Sequence, residues 1–229
     1  MAATIRDVAK RAGVGVGTVS RVLNNHPAVS PATREAVEAA IAELNFSPNP
    51  SARRLSSGKS YTIGIVLPFF TLPSFVERLQ GVVAALEDTP YDVVIYNVET
   101  VERRNQYLRE LPQRKHLDGL LIVSLPLSDE EGERIARSGL PTVLIDSDHP
   151  ALSRVVIDDV YGGMLATRHL LELGHRKVAY VSDMLGSPFG FVAGKHRLEG
   201  YTRALAEAGI PFRPEFHGAA VWHGVREAR

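Results

Sequence analysis

Three glycines spaced two apart, Gly13, Gly15 and Gly17 in the stretch "AGVGVGTVSRVLNN", are the first residues that could do chemistry. Amides bared by glycine can cradle a phosphate, as in nucleotide-binding loops. The residues that follow, "TVSRVLNN", suit a short helix able to enter a nucleic-acid groove. Asp158-Asp159 could pair on a metal, although capping the next helix is the simpler use. Asp129-Glu130-Glu131 suits a solvated helix start. The eight histidines, at positions 26, 116, 149, 169, 175, 196, 217 and 223, show no metal-ligand spacing, and cysteine is absent. No nucleophile elbow occurs, and the lysine of a phosphate loop is missing. A cofactor-free protein that is not an enzyme is therefore expected.

The elements around the glycines decide between the two readings. Thr4-Ile5-Arg6-Asp7 has the form of a capping box, in which the Thr4 hydroxyl accepts from the third helical amide and Asp7 reaches back. Ile5, Val8, Ala9 and Ala12 continue at helical spacing, and Gly13 suits the left-handed residue past a helix end. A second helix spans about Val16 to Asn24 with Val19, Val22 and Leu23 inward. A third starts at Ser30-Pro31, cap and first helical position, and buries Val37, Ala40, Ile41 and Leu44. A dinucleotide loop needs a strand before its glycines, and here a helix precedes them. Three short helices with a tight turn between the first two describe a helix-turn-helix unit.

Charge agrees with that division. The 229 residues carry no net charge, with 45% apolar and 23% charged residues. Residues 1–60 hold eight Lys/Arg against four Asp/Glu, a net +4 that the rest of the chain balances at −4. A basic head on an acidic body points to a polyanionic partner for the head. The chain opens without the pattern of a signal peptide, and its longest apolar run, Ile63 to Phe75, is too short for a bilayer and holds two prolines. A cytoplasmic protein with no membrane partner is expected.

From Tyr61 the period changes. "YTIGIVL", "YDVVIYN", "DGLLIVS", "PTVLID", "RVVID" and "KVAYVS" read as strands. Helices alternate with them at about 74–87, 101–111, 129–138, 159–173 and 194–208. Such repeats predict a parallel sheet with helices on both faces, with ligands bound outside the carboxyl ends of the strands. "PFFTLPSF" with Phe75, Ser124 and Leu125, Asp146 to Asp148, and the loop "DMLGSPFGFVAG" that leads to Arg197 near a helix start fall at those ends. Asp146 could equally cap a loop, Phe75 could be core, and Arg197 could be an ion-pair partner.

The stretches "TIRDVAKRAGVGVGTVSRVLNN" and "VSPATREAVEAAIAELNFSPNPSARRLSSGKS" resemble the DNA-binding head of the lactose-repressor (LacI) family of bacterial regulators, without a gap over residues 4–60. In the body, "LDGLLIVS", "LPTVLID", "LLELGHRKVAYVS" and "HRLEGYTRALAEAGI" resemble that family's ligand domain, which is like the periplasmic sugar-binding proteins. The resemblance implies an all-α helix-turn-helix head over 1–47, a hinge over 48–60, and an α/β effector-binding and dimerisation domain over 61–229. It implies a homodimeric repressor on double-stranded operator DNA, controlled by a sugar or a purine. Val16, Gly17 and Arg21 would face bases, with Arg21 on a guanine edge. Thr18, Ser20 and Asn24 would meet phosphates, and Thr4 joins the DNA-contact set. In the hinge, Asn49 starts a helix, Ala52 permits close approach of its dimer mate, Arg53 meets phosphate, and Leu55 wedges into the minor groove. In the body, Phe75 would stack on the effector, Asp146 would accept from its hydroxyls, Arg197 would donate, and Ser124 would lie close by. The family has a capping residue where Gly15 stands and larger polar residues near Val16 and Gly17, so an altered operator preference is expected. Family members continue well past "FHGAAVWHGVREAR", which implies a C-terminally truncated chain with an incomplete second subdomain and a weakened effector cleft.

Overall fold

The computed structural model describes residues 3–47, 59–182 and 188–219. The chain divides into two compact units, Met1–Lys59 and Ser60–Arg229. The first unit consists, over its described residues, of α1 (Ile5–Arg11), α2 (Val16–Leu23) and α3 (Pro31–Glu43). Val8, Ala9, Val19, Val22, Val37 and Ala40 form its buried core. Helices this short are marginal alone, so capping and packing must hold them. The capping box at Thr4 and Asp7 is present, and Ser30 caps α3 with Pro31 at its start. All three helices end in the same way. Gly13, Asn25 and Asn45 are left-handed, at φ of 67°, 52° and 46°. The next amide reaches back five residues: Val14 to the Ala9 carbonyl at 3.0 Å, His26 to Arg21 at 2.9 Å, and Phe46 to Ile41 at 3.0 Å. This Schellman closure satisfies carbonyls that a helix end leaves open.

In the second unit β1 (Thr62–Pro68), β2 (Asp92–Val98), β3 (Gly119–Val123), β4 (Thr142–Ile145) and β5 (Ser153–Val155) form one sheet in the order β2-β1-β3-β4-β5. Every pairing is parallel. The crossovers run through α4 (Pro73–Leu86), α5 (Val101–Glu110) and α6 (Asp129–Arg137). Strand alternation divides the core between the two faces. Val66, Leu120 and Ile122 pack with Leu108 of α5 and Ile135 of α6. Ile65, Leu67 and Val123 pack on the other face with Phe75 of α4. The expected parallel sheet flanked by helices on both faces is therefore the observed one.

The remainder comprises α7 (Asp159–Glu172), β6 (Tyr180–Ser182), α8 (Ala193–Glu207) and β7 (His217–Ala219). Among the described residues β6 and β7 make a two-stranded parallel sheet. Two expected strands are shorter than their apolar runs. "RVVID" is a strand only to Val155, because its partner β4 ends at Ile145 and Val156 and Ile157 lie exposed beyond that register. "KVAYVS" is a strand only from Tyr180. The Val178 carbonyl accepts from the Tyr201 hydroxyl at 2.8 Å instead of from a neighbouring strand.

Helices α7 and α8 pack backbone to backbone. A Cβ at Gly163 would overlap the Arg197 carbonyl, and one at Gly200 would overlap the Val160 carbonyl. Neither obstacle is a flexible side chain, so Gly200→Ala must part the helices. It is expected to lower the stability of this unit by about 1–3 kcal/mol, read as a reduced urea midpoint. Gly13→Ala meets no neighbour and is expected to cost about 1 kcal/mol of head stability through its left-handed backbone alone.

Candidate functional site

On the head, Val16, Gly17 and Arg21 are exposed on α2, as is Asn24 at its C-cap, whereas Val19 and Val22 are buried. Positions 17, 21 and 24 recur at four and three residues, so they share one face. Thr18 and Ser20 are half-buried beside them. The Arg21 guanidinium has no partner among the described residues. The N-cap of α2 is Gly15, which makes no side-chain cap bond, and a Cβ at Gly15 or Gly17 would meet nothing. The bare surface at these glycines is thus not required by packing.

Thr4 is committed to the start of α1. Its hydroxyl donates to Asp7 Oδ2 at 2.7 Å and its amide donates to the same oxygen at 2.9 Å. The Thr4 side-chain bond first, and its backbone bond second, hold the Asp7 carboxyl below its ordinary range. Asn49, Ala52, Arg53 and Leu55 lie outside the described residues. Arg34 escaped the sequence reading, where it counted only as positive charge. From α3 it donates to Asn25 Oδ1 at 3.0 Å and to the His26 carbonyl at 3.3 Å. It therefore clamps the end of α2 and sets that helix's exposed face. Arg11 and Glu43 join α1 to α3.

In the body, three neighbouring strands leave the sheet alike. Phe69 after β1, Ser124 after β3 and Asp146 after β4 are all left-handed, at φ of 45°, 53° and 57°. The Ser124 amide still donates to Ile145 and the Asp146 amide to Val155, each at 2.8 Å. The ladder thus holds until the residue where the chain turns away. Left-handed non-glycine residues persist only where their surroundings impose them, and they gather at functional sites.

These ends open on a cavity of about 450 Å³ lined by Phe75, Ser124, Asp146 and Arg197, together with Arg78, Tyr180 and Phe191. The four effector residues expected from sequence therefore meet at one place. Asp146 Oδ2 accepts from the Ser124 hydroxyl at 2.7 Å and from Arg78 Nη2 at 2.9 Å. Arg78 Nη1 is held by the Ser74 carbonyl at 2.8 Å, and its guanidinium lies 5.6 Å from the Phe75 ring centre. Phe75 is 7% exposed, so it is both core and cavity wall. Arg197 donates through Nε to the buried Asp159 at 2.7 Å, so it is an ion-pair partner as well as a lining residue. Asp158 caps α7 through the Tyr161 amide at 2.8 Å, and the Asp158-Asp159 pair is divided between two structural tasks. Sequence reasoning missed Arg78. It sits one helical turn from Ser74, a spacing that says nothing about a carboxylate 68 residues away.

One loop of this cavity has its own brace. Arg104 of α5 pairs with Glu131 of α6 and donates to the carbonyl of the lining residue Pro126. Glu131 also accepts from the Ser128 amide, closing the capping box that starts α6. Burial pushes the Glu131 carboxyl up. The bonds from Arg104 and Ser128, with the charges of Arg104 and Arg134, outweigh burial and hold it below its ordinary 4.5.

Residues 4–49 match the family of bacterial regulatory proteins called lacI, and residues 60–221 match the periplasmic binding proteins and sugar-binding domain of the LacI family. The chain belongs to the LacI family. Among its LacI-family relatives, the transcriptional regulator CelR of Thermobifida fusca is 37% identical over 221 residues, which cover 91% of this chain and 63% of that protein. Catabolite control protein A of Priestia megaterium is 32% identical over 218 residues, covering 94% of this chain and 65% of that protein. The solved lac repressor dimer, bound to operator and the anti-inducer ONPF, superposes with a TM-score of 0.78 at 28% identity. It covers 97% of this chain and 66% of that one. The chain thus spans slightly under two thirds of the length of these LacI-family relatives.

The lowered Glu131 carboxyl carries a sign. Stability from the Arg104–Glu131 pair is fully present above the ordinary carboxylate range and is lost as pH falls through the lowered folded value. Glu131→Gln is expected to cost about 1–2 kcal/mol at pH 7 and progressively less as pH falls below the ordinary carboxylate range, read from urea midpoints over a pH series.

Proposed function

We propose that the chain is a sequence-specific, DNA-binding transcriptional regulator of the repressor kind, whose operator affinity is set by a small effector in the body cleft. The observation that carries this reading is the exposed face of α2, where Arg21, without a partner among the described residues, stands beside Gly17 and Asn24 on a clamped and capped three-helix head. A base-reading side chain must be unspent in the free protein and held by a rigid element. Relatives named as transcriptional regulators or repressors agree with it, as does the lac repressor bound to its operator.

Val16, Gly17 and Arg21 face base edges, and Thr18, Ser20 and Asn24 face phosphates. Thr4 contributes its start of α1 beside the backbone. Asn49, Ala52, Arg53 and Leu55 form the hinge, with Leu55 entering the minor groove. Two copies place their heads on a two-fold operator. Phe75, Ser124, Asp146 and Arg197 hold the effector, a sugar or a purine, and its binding shifts the balance between operator-bound and free states. No cofactor and no catalytic step enter this scheme, which operates in the cytoplasm. No helix among the described residues is long and apolar enough to cross a membrane.

Operator duplexes selected from a random pool, followed by fluorescence anisotropy, test the reading. Arg21→Ala is expected to weaken the selected operator by about 1–3 kcal/mol and to relax one base position. The affinity should fall steeply between 50 and 200 mM salt on the order of a phosphate-bound complex. Binding that selects no sequence, or that ignores salt, sinks it. Gly17→Ala is expected to raise head stability by about 0.5–1 kcal/mol, measured by thermal unfolding.

A further inference from the structure

The chain arriving from the head enters the sheet through Ser60 and Tyr61, and one carboxylate holds both. Asp118 Oδ1 accepts from the Ser60 amide at 2.8 Å and from the Ser60 hydroxyl at 2.9 Å, while Oδ2 accepts from the Tyr61 amide at 2.8 Å. Ser60 is buried. Tyr61 is left-handed at φ of 51°, a backbone state that an aromatic residue keeps only where its surroundings impose it. Here the surroundings are the Asp118 carboxylate on one side and β2 on the other, whose Asp92 amide donates to the Tyr61 carbonyl at 2.9 Å. Asp118 is fixed in turn, since its own amide donates to the Thr62 carbonyl at 2.9 Å. The bend at which residues 60 and 61 meet β1 is therefore set by a side chain that belongs to β3's end of the sheet.

Asp118 stands immediately before β3 and Ser124 immediately after it. The five residues between them are paired on both sides, with β1 and with β4. One end of the strand thus carries the carboxylate that holds the entering chain. The other carries the hydroxyl that donates to Asp146 in the cavity. In an extended strand the two ends are about 20 Å apart. The amino end has no slack. A Cβ on Gly119 would stand 3.0 Å from Ile63 Cδ1, and one on Gly64 would stand 3.0 Å from Leu117 Cδ1. A strand bonded on both sides cannot give at one end without disturbing its ladder, and rigid elements of this kind carry energetic coupling between distant sites. We propose that Asp118 is a positioning residue for regulation, the group through which β3 ties the state of the cleft to the chain that bears the head. The proposal rests on the head being the operator-binding unit and the cavity being the effector cleft.

Coupling is reciprocal, so operator binding must alter the cleft if the cleft alters operator binding. The test therefore needs no effector. The chain has no cysteine, and Ser74→Cys places one on the cavity wall, where Ser74 holds Arg78 only through its backbone carbonyl. The full 229-residue chain, labelled there with a polarity-sensitive dye, is saturated with the selected operator duplex or with a duplex of unrelated sequence. The operator is expected to shift the dye emission and the unrelated duplex to shift it less. Three donors converge on Asp118, and an amide in its place keeps one acceptor oxygen and turns an N–H toward the other donor. Asp118→Asn is accordingly expected to reduce the operator-induced shift about three-fold or more, with the operator still saturating by anisotropy. Ser60→Ala, which removes one of the three donors, should reduce it by less. Thr62→Val removes a hydroxyl bond to the Ser60 carbonyl, 3.1 Å long, and leaves the carboxylate's bonds in place, so it should keep the full shift. Thermal midpoints show whether each variant is folded, and if Asp118→Asn is not, Ser60→Ala against Thr62→Val decides. A shift in folded Asp118→Asn as large as the parent's overturns the assignment and leaves control by the cleft standing, as does an equal loss in Ser60→Ala and Thr62→Val. No operator-induced shift in the parent overturns both the assignment and control by the cleft, while operator binding itself is judged by anisotropy.

Discussion

A parallel strand is reached only by a connection that runs back along the sheet; the first three do so through α4, α5 and α6, and β4 reaches β5 through the short segment 146–152. Every strand of the five-stranded sheet therefore runs the same way, and every carboxyl end opens on one edge. Ser124 and Asp146 are 22 residues apart in sequence yet share one hydrogen bond at that edge. Neither residue could be brought there by local structure. The pairing of β3 with β4, in register from Leu120–Thr142 to Val123–Ile145, delivers both. The left-handed turn at each then lifts its side chain out of the sheet plane.

The same edge explains why the cleft is stiff on one side. Ile65, Leu67 and Val123 hold Phe75 from below, and Phe75 in turn lies against the Arg78 guanidinium. Arg78 is tied to its own helix by the Ser74 carbonyl and to the sheet by Asp146. The opposite wall depends on the α7–α8 seam, where glycine lets two backbones touch. Arg197 sits in that seam, and its orientation is set by Asp159 across it. Both guanidiniums that line the cavity are thus already oriented by carboxylate partners.

The head follows another logic. Its helices are of seven, eight and thirteen residues, and its buried core consists of valines and alanines. Small side chains give a small core, so closure at the helix ends matters more than it would in a large domain. Three Schellman endings, two side-chain N-caps and the Arg34 clamp supply that closure. What they leave unspent is one face of α2, and this economy of contacts is what makes the face available to a partner.

Interactions that span three or four residues were legible in the sequence. The Thr4–Asp7 box, the Ser30 cap, the helix start at Asp129 and the Asp158 cap all follow from residue type and spacing, because a helix end satisfies its amides locally. Apolar runs located the strands, their carboxyl ends pointed to the stretches around Phe75, Ser124 and Asp146, with Arg197 near a later helix start, and the family resemblance singled out these four. Strand lengths were less legible, since a strand stops where its partner stops, as Val156 and Ile157 show. Tertiary structure alone decided that Arg78 would reach Asp146, that Arg34 would clamp α2, that Arg104 would brace Pro126, and that Gly163 and Gly200 would face opposing carbonyls. Each joins residues far apart in the chain, and an arginine or a glycine has the same local signature whether it meets water or a partner. Residue type states what a group can do, but only the packed fold determines what stands within its reach.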